Sequence, residues 1–480
     1  MAEAAPPRRV ALAILGRRRR RSAYARDLLR TAPEMDALGP RGRALASRLV
    51  LGATSASGEI DRRVASHIKR PSHVEPRVAD AFRVSAFEVL YLDTPRSVAV
   101  SQGVELVRRV QPRAAGMANA VLRRLAEQDR PEMDAARDRV RAHDASVRDL
   151  AATSGLPDWI VERAIASVGI DATCDMCLCQ LDPAPVYVAP NLAICDPERT
   201  HDLLGEAGLD PLPTPLPTSF SLGSPAGLAG SGLVEGVDVV VCDLGSQVSA
   251  LIATPAPGST MLEVGAGRAT KTILLESGAY SLGGPAELVC LDSAAYKVRI
   301  ARERVSHGWA DHVHEVVLDA TTLSDVTAGE KALPEGLRGP FDTVLVDAPC
   351  SGTGTMRRHP EIPWSLTEAS LDPSDPASLP ALQLRILEAS SAKVASGGEL
   401  VYATCSVLTC EDEDVVASFL ASDAGRDFSR GDVLAVPGLA GASESTRAFV
   451  RERLSSDGDF RSCPEPGGCD GHFCCRLVRS

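Results

Sequence analysis

Leu262–Thr272 reads LEVGAGRATKT, and this stretch decides the fold class. An apolar strand carrying Glu263 ends at Val264, Gly265 and Gly267 open a turn, and a helix follows. Glycines at such a turn let backbone approach a ligand, and the start of the helix offers free N–H groups. Outward from it, a second strand ends in Asp292 (LVCLDS) and a third in Asp319 (VVLDA). A carboxylate after the second strand is where ribose hydroxyls of nucleotide-like cofactors are held, although the gap here exceeds the usual one of about 20 residues. Taken alone, the pattern also fits an ordinary strand–helix turn.

The surrounding chain repeats the alternation. Short strands are predicted over Met261–Val264, Leu288–Leu291, Val344–Val346 and Leu400–Ala403. Helices are predicted near Ala269–Glu276, Ala294–Glu303, Ala381–Ala395 and Asp414–Leu420. Strands and helices in this order predict a mostly parallel sheet covered on both faces. Thr367–Pro380 (TEASLDPSDPASLP) reads as an exposed loop.

Two strand ends carry thiols. Phe341–Arg358 reads FDTVLVDAPCSGTGTMRR, which places Asp347, Pro349 and Cys350 at the carboxyl edge where open α/β sheets bind ligands. A Pro-Cys-Ser-Gly turn is a poor place for a buried cysteine acting as a small hydrophobe. Glu399–Glu413 reads ELVYATCSVLTCEDE, and Cys405 follows its strand. Alone, Cys405 fits an inert buried thiol as well as a reactive one.

Upstream, apolar residues fall at three- and four-residue spacing. Val100, Val104 and Val107 form one stripe and Met117, Val121 and Leu125 another, with Pro112 between; Phe82–Leu92 adds a further helix. Residues 156–236 are rich in proline and glycine and read as a small α+β module with a loop-rich connector.

Composition sets the bounds. The chain has 480 residues, enough for several domains at roughly 100–200 residues each. Hydrophobic residues make up 44% and charged residues 24%, a globular profile. No apolar run is long enough to cross a bilayer, and the N-terminal basic cluster follows rather than precedes a short apolar run, unlike a signal peptide. A cytoplasmic location is expected. The net charge of −12 argues against an overall cationic coat but leaves room for local basic patches, and the first 130 residues are arginine-rich. Arg17–Arg21 fits either an RNA-contacting run or a solvated loop, and Arg113, Arg123 and Arg124 are read the same way. Thirteen cysteines without an export signal are expected as free thiols. Cys174, Cys177 and Cys179 (CDMCLC), with Cys463, Cys469, Cys474 and Cys475, lack the two well-separated pairs that structural zinc wants, so no metal is expected. Cys410 is read as a bystander.

Taken together, DAPCSG, ATCS, a glycine-rich turn ending in Lys271-Thr272, DLGSQ (Asp243–Gln247) and the closing Asp470-Gly471-His472-Phe473 resemble the RNA cytosine-5 methyltransferases. SQGVELVRRVQPRAAGMANAVLRRL (Ser101–Leu125) is similar to a NusB-type RNA-binding domain. The pairing resembles the small-subunit ribosomal RNA methyltransferases of the RsmB (Sun/Fmu) subgroup. The resemblance implies an all-α NusB-like domain over residues 1–135, a small α+β module over 136–236 and a Rossmann-like α/β methyltransferase domain over 237–480. It implies S-adenosyl-L-methionine as methyl donor, held by Gly265, Ala266, Gly267, Arg268, Ala269, Thr270 and Lys271, with Asp292 at the ribose, Asp319 near the adenine and Asp347 against the methyl donor or the cytosine edge. It ranks Cys405 as the nucleophile that adds to carbon 6 of cytosine and Cys350 as the thiol that helps release the product. Arg357 and Arg358 are expected near the reacting base. The chain departs from its relatives in one place: they carry Cys-Ala-x-Pro-Gly-Gly-Lys where this chain has Gly-Ala-Gly-Arg-Ala-Thr-Lys. The substrate implied is RNA, first of all ribosomal, acted on by a monomer. Transfer RNA as substrate, and a non-catalytic RNA-binding assembly factor, are the alternatives.

Overall fold

The amphipathic stripes of the N-terminal region fold as helices. Val104 and Val107 lie on the buried face of helix Arg96–Val110, and Val121 on that of helix Ala115–Arg124. Pro112 opens a 3-10 turn between them, because proline has no amide hydrogen with which to extend the first helix. Helix Pro76–Tyr91 buries Phe82 and Phe87. Phe87 lies so close to helix Pro40–Ser55 that a Cβ on Gly52 would stand 1.8 Å from its ring.

The protein is described here from a computed structural model, covering residues 5–21, 24–324, 337 and 339–480, and its chain divides into two units. The helical unit runs to Ala184 and takes in Thr355–Leu366 and Pro464–Gly467. It continues well past residue 135, because helices Arg130–Arg141, Val147–Ser154 and Asp158–Cys179 pack on one another and bury Leu150, Ile160 and Cys177. A capping box between Ser146 and Asp149 starts the second of these. The basic run near the N-terminus belongs to helix Pro6–Arg21 rather than to a loop. Arg17 pairs with Glu34 at 2.6 Å, Arg18 with Glu361 at 3.5 Å and Arg19 with Asp80 at 2.9 Å, so these three charges meet carboxylates.

The second unit comprises Pro185–Gly354, Thr367–Cys463 and Gly468–Ser480. It begins with a small antiparallel sheet of β1 (Tyr187–Pro190), β2 (Pro211–Pro213), β3 (Phe220–Leu222) and β4 (Val239–Val241), in the order β2-β3-β1-β4. β4 lies beyond residue 236, since Val239 and Val240 pair with Pro190 and Ala189. The large sheet follows with β5 (Thr260–Val264), β6 (Glu287–Asp292), β7 (Val313–Val317), β8 (Phe341–Asp347), β9 (Val394–Thr404), β10 (Phe428–Arg430), β11 (Phe460–Ser462) and β12 (His472–Arg479). Its order is β10-β12-β9-β8-β5-β6-β7, with β11 on β12. β5 to β9 pair in parallel; β12 runs antiparallel to β9, β10 and β11. The sheet is therefore mixed, with a parallel centre.

Successive strand residues point to opposite faces. Met261, Leu345 and Val401 enter one buried cluster and Leu262, Val344 and Leu400 the other. Both faces are covered, which is why these strands are nearly continuous apolar runs. From β5 the chain winds one way to β6 and β7, then returns on the other side of β5 at β8. The carboxyl ends of β5 and β8 are thus a topological switch point, where ligands bind in open α/β sheets. Thr367–Pro380 is less exposed than its composition suggests: Leu371 and Ser378 are buried, and Ser378 caps helix Leu379–Ser391. No disulfide joins any of the thirteen cysteines. Among the described residues no cluster of His, Cys, Asp and Glu is arranged to hold a metal, and no helix is long and apolar enough to cross a membrane.

Candidate active site

The turn after β5 is shaped by backbone that needs little side chain. Gly265 (φ 85°) lies so close to β8 that a Cβ there would stand 2.2 Å from the Asp347 carbonyl oxygen. Gly267 (φ 59°) has the left-handed conformation that glycine tolerates, and a Cβ on it would meet nothing nearer than the Gly265 oxygen at 3.9 Å. The turn is open on that side. Ala269 (φ 60°) is left-handed as well, directly before helix Thr270–Ser281, at a position where glycine would be unstrained. The carbonyl of Arg268 and the hydroxyl of Thr270 accept hydrogen bonds from Arg304 at 2.6 and 3.1 Å. Beneath the turn, Glu263 is fully buried and its carboxyl is pushed up to about 7 by burial.

Asp292, at the end of β6, joins this turn. It accepts from the Gly267 amide at 3.2 Å and the Ala294 amide at 2.8 Å, and pairs with Lys297 at 3.3 Å. Asp319, past the end of β7, is exposed and caps the next turn through the Thr321 amide at 3.0 Å. No hydrogen bond links it to the glycine turn among the described residues.

Lys271 points to β8 rather than away from the sheet. Its ammonium lies 2.7 Å from the Asp347 carboxylate, and that charge, working against burial, holds Lys271 protonated. Beyond Asp347 the chain turns through Pro349 to Cys350. Beside it, β9 ends at Thr404 and continues to Cys405. The two strands are in register to Asp347 and Ala403, and their thiols stand 3.3 Å apart. The Cys405 amide also donates to the Cys350 sulfur at 3.3 Å. Both cysteines are half-buried. A thiol hydrogen bond from Cys350 favours the Cys405 thiolate and holds its pKa below the usual thiol value, with Lys271 assisting; burial and Asp347 oppose. The same contact, with burial, pushes Cys350 up.

Further segments stitch this site together. The Gly354 amide donates to the Cys405 carbonyl at 3.0 Å, and the Gly471 amide to the Gly354 carbonyl at 2.9 Å. Asp243 accepts from the Asp470 amide at 2.9 Å and the Gly245 amide at 3.0 Å. His472 is buried with its Nδ1 3.7 Å from Asp243, and burial lowers its pKa. The motifs Asp243–Gln247 and Asp470–Phe473 are thus brought to the thiol-bearing turn. Arg357 and Arg358 belong to the helical unit: Arg357 is buried and donates to the Glu465 carbonyl at 3.1 Å, and the Arg358 carbonyl accepts from Arg26.

Sequence reading missed Glu411. It is fully buried behind both thiols, between Ser351 and Ser406. Its signal was present, an acidic residue six positions after Cys405, but a run of four acids, Glu411–Asp414, ordinarily reads as solvated surface.

The open glycine turn and the carboxylates at the following strand ends form a donor set that suits a nucleoside with a charged tail. Such a crevice at this switch point is shared by nucleotide-binding α/β enzymes, S-adenosylmethionine-dependent methyltransferases among them. Residues 250–477 match the family model described as "16S rRNA methyltransferase RsmB/F", and residues 5–127 match that of the NusB family. The chain is 31% identical to "Ribosomal RNA small subunit methyltransferase B" of Thermus thermophilus, over 87% of this chain and 88% of the relative. It is 27% identical to "Probable ribosomal RNA small subunit methyltransferase B" of Bacillus subtilis, over 98% of each. The crystal structure of PH0851 superposes with a TM-score of 0.72, at 20% identity, over 99% of both chains, which establishes the same fold. The chain belongs to the RsmB/F methyltransferase family, with a NusB-type helical domain ahead of the catalytic one. It is an S-adenosylmethionine-dependent RNA methyltransferase.

Proposed function

We propose that this protein methylates carbon 5 of a cytosine in small-subunit ribosomal RNA through a covalent adduct between Cys405 and carbon 6. The observation that carries the reading is the thiol pair. Two cysteines from separate strands stand 3.3 Å apart beside an ion-paired lysine, and one of them is biased toward thiolate. Carbon 5 of cytosine is too poor a nucleophile to be methylated unaided. Attack of the Cys405 thiolate on carbon 6 breaks the aromaticity and makes carbon 5 enamine-like, which splits one hard step into easier ones. When bound, S-adenosylmethionine supplies an electrophilic methyl group. Gly265–Lys271 and Asp292 are the residues that would hold it, with Asp319 at its outer edge. Asp347, fixed by Lys271, would lie against the base or the donor. A base takes the carbon-5 proton, the electrons of that bond restore the carbon 5–carbon 6 double bond, and the Cys405 thiolate leaves, its release aided by Cys350. The base must leave its stack to reach these thiols. Every group needed comes from one chain, so a monomer suffices.

Ribosomal RNA as the substrate rests on the relatives' names. The test of the chemistry is mutational. Cys405→Ala abolishes 5-methylcytidine formation, measured by mass spectrometry of digested RNA. Cys350→Ala accumulates protein covalently joined to RNA, seen as a retarded band on a denaturing gel. A trapped adduct in Cys405→Ala instead of Cys350→Ala would reverse the two roles.

A further inference from the structure

Strand pairing alone cannot fix the distance between the two thiols. The register of β8 and β9 ends at Asp347 and Ala403, and each cysteine lies on the loop beyond. Behind those loops sits one side chain that touches both. Oε1 of Glu411 accepts the Ser351 amide at 2.8 Å and the Gln383 side-chain amide at 3.1 Å. Oε2 accepts the Ser351 hydroxyl at 2.5 Å and the Ser406 hydroxyl at 2.6 Å. Ser351 follows Cys350 and Ser406 follows Cys405. Gln383 also donates to the Pro349 carbonyl at 3.0 Å, so the residues on both sides of Cys350 are held. Thr353 and Ser406 complete the link with their hydroxyls 3.1 Å apart. Glu411 is itself anchored, its carbonyl accepting the Tyr402 hydroxyl at 2.7 Å.

Burying a carboxyl group is costly unless hydrogen bonds satisfy it, and this one is satisfied wholly by the two thiol loops and the helix Leu379–Ser391 behind them. A core needing only packing would hold an apolar residue here. We infer that Glu411 is a positioning residue for the reaction: its carboxylate joins the loop of Cys350 to the loop of Cys405 and so sets the separation of the two thiols. The inference rests on the two-thiol reading above. It adds that the separation is set by a residue that touches neither thiol. A misplacement of about 1 Å at reacting groups costs on the order of a hundredfold in rate, so the tie has a kinetic consequence.

The variant that tests this is Glu411→Gln, which keeps the shape but replaces one acceptor oxygen with a donor. Three quantities are measured on the full chain: binding of S-adenosylmethionine by calorimetry, kcat and KM for RNA, and the rate of Cys405 alkylation by iodoacetamide without RNA. The expected result is cofactor binding and KM close to wild type, kcat lower by about tenfold or more, and slower alkylation at neutral pH, the loosened Cys350 hydrogen bond outweighing the smaller gain in thiolate from loss of the Glu411 charge. Ser406→Ala, which cuts one arm of the tie, gives a smaller loss, and combining it with Glu411→Gln adds less than the sum. Wild-type kcat in Glu411→Gln overturns the inference. So does a fall in kcat matched by equal loss of cofactor binding, which marks a general structural role; Ser406→Ala then decides the matter if Glu411→Gln fails to fold, since unchanged kcat and alkylation there also overturn it. The alkylation measurement separates the two claims. If the wild-type chain makes no 5-methylcytidine while alkylation still slows in the variant, the proposed function falls and the positioning role stands.

Discussion

Lys271 shows how one residue can serve two ends of the site. Its charge holds Asp347 in place and, second to the hydrogen bond from Cys350, favours the Cys405 thiolate. The groups whose hydrogen bond or charge acts on that thiol are Cys350, Asp347, Lys271 and, from behind the loops, Glu411. The sign of a substitution follows. Removing the positive charge in Lys271→Gln raises the thiol pKa, so less thiolate is present at neutral pH and activity recovers only as pH rises. The acid limb of the kcat profile is expected to move upward by about one pH unit. A profile unmoved by Lys271→Gln would remove the lysine from thiol activation. At this scale the sequence was partly legible. Cys350, Cys405 and Lys271 stand out because their neighbours form turns at strand ends. Glu411 did not, because its partner Ser351 lies 60 residues away and no local periodicity records that contact.

At the scale of elements, the site depends on close backbone approach. Gly354 is the clearest case: a Cβ there would lie 2.1 Å from the Gly471 carbonyl oxygen, backbone that has nowhere to move. Gly354→Ala should therefore destabilise the second unit by about 1–3 kcal/mol, and it should displace the turn that carries Cys350. Thermal unfolding and methylation rate together check this; a variant with unchanged melting temperature and rate would contradict it. The strands and helices around these turns were readable from apolar runs, with ends shifted by a few residues. β4 was less so, because three valines pair with β1 only after the chain has folded back. The mixed character of the sheet was not readable either, since an apolar strand carries no mark of the direction of its neighbour.

The whole molecule joins a chemical unit to a helical one, and its net charge of −12 hides where RNA is held. Three arginines of the basic run Arg17–Arg21 are spent on ion pairs. Other cations are better placed. Lys69, Arg70 and His73 are exposed and line a cleft with Arg124 on the helical unit, over an apolar floor that includes Ile68, Val74 and Met117. If that cleft carries phosphate, Lys69→Glu with Arg70→Glu should weaken RNA binding and lower the slope of log K against log salt by about one for each phosphate no longer neutralised. Binding of S-adenosylmethionine, a property of the other unit, should stay unchanged. An unaltered salt slope would assign RNA binding to another surface.

The class of this protein is written in its sequence. Alternating apolar strands, a glycine turn, acids at strand ends and two thiol-bearing turns are local patterns, and local patterns survive as one-dimensional text. Which of these meet was left to tertiary packing. Folding brought two sulfurs from different strands to 3.3 Å, placed a buried glutamate behind both, and turned surface-like arginines onto carboxylates. The physical reason is that hydrogen bonds and ion pairs between residues far apart in the chain depend on register and packing, which no short stretch of sequence contains.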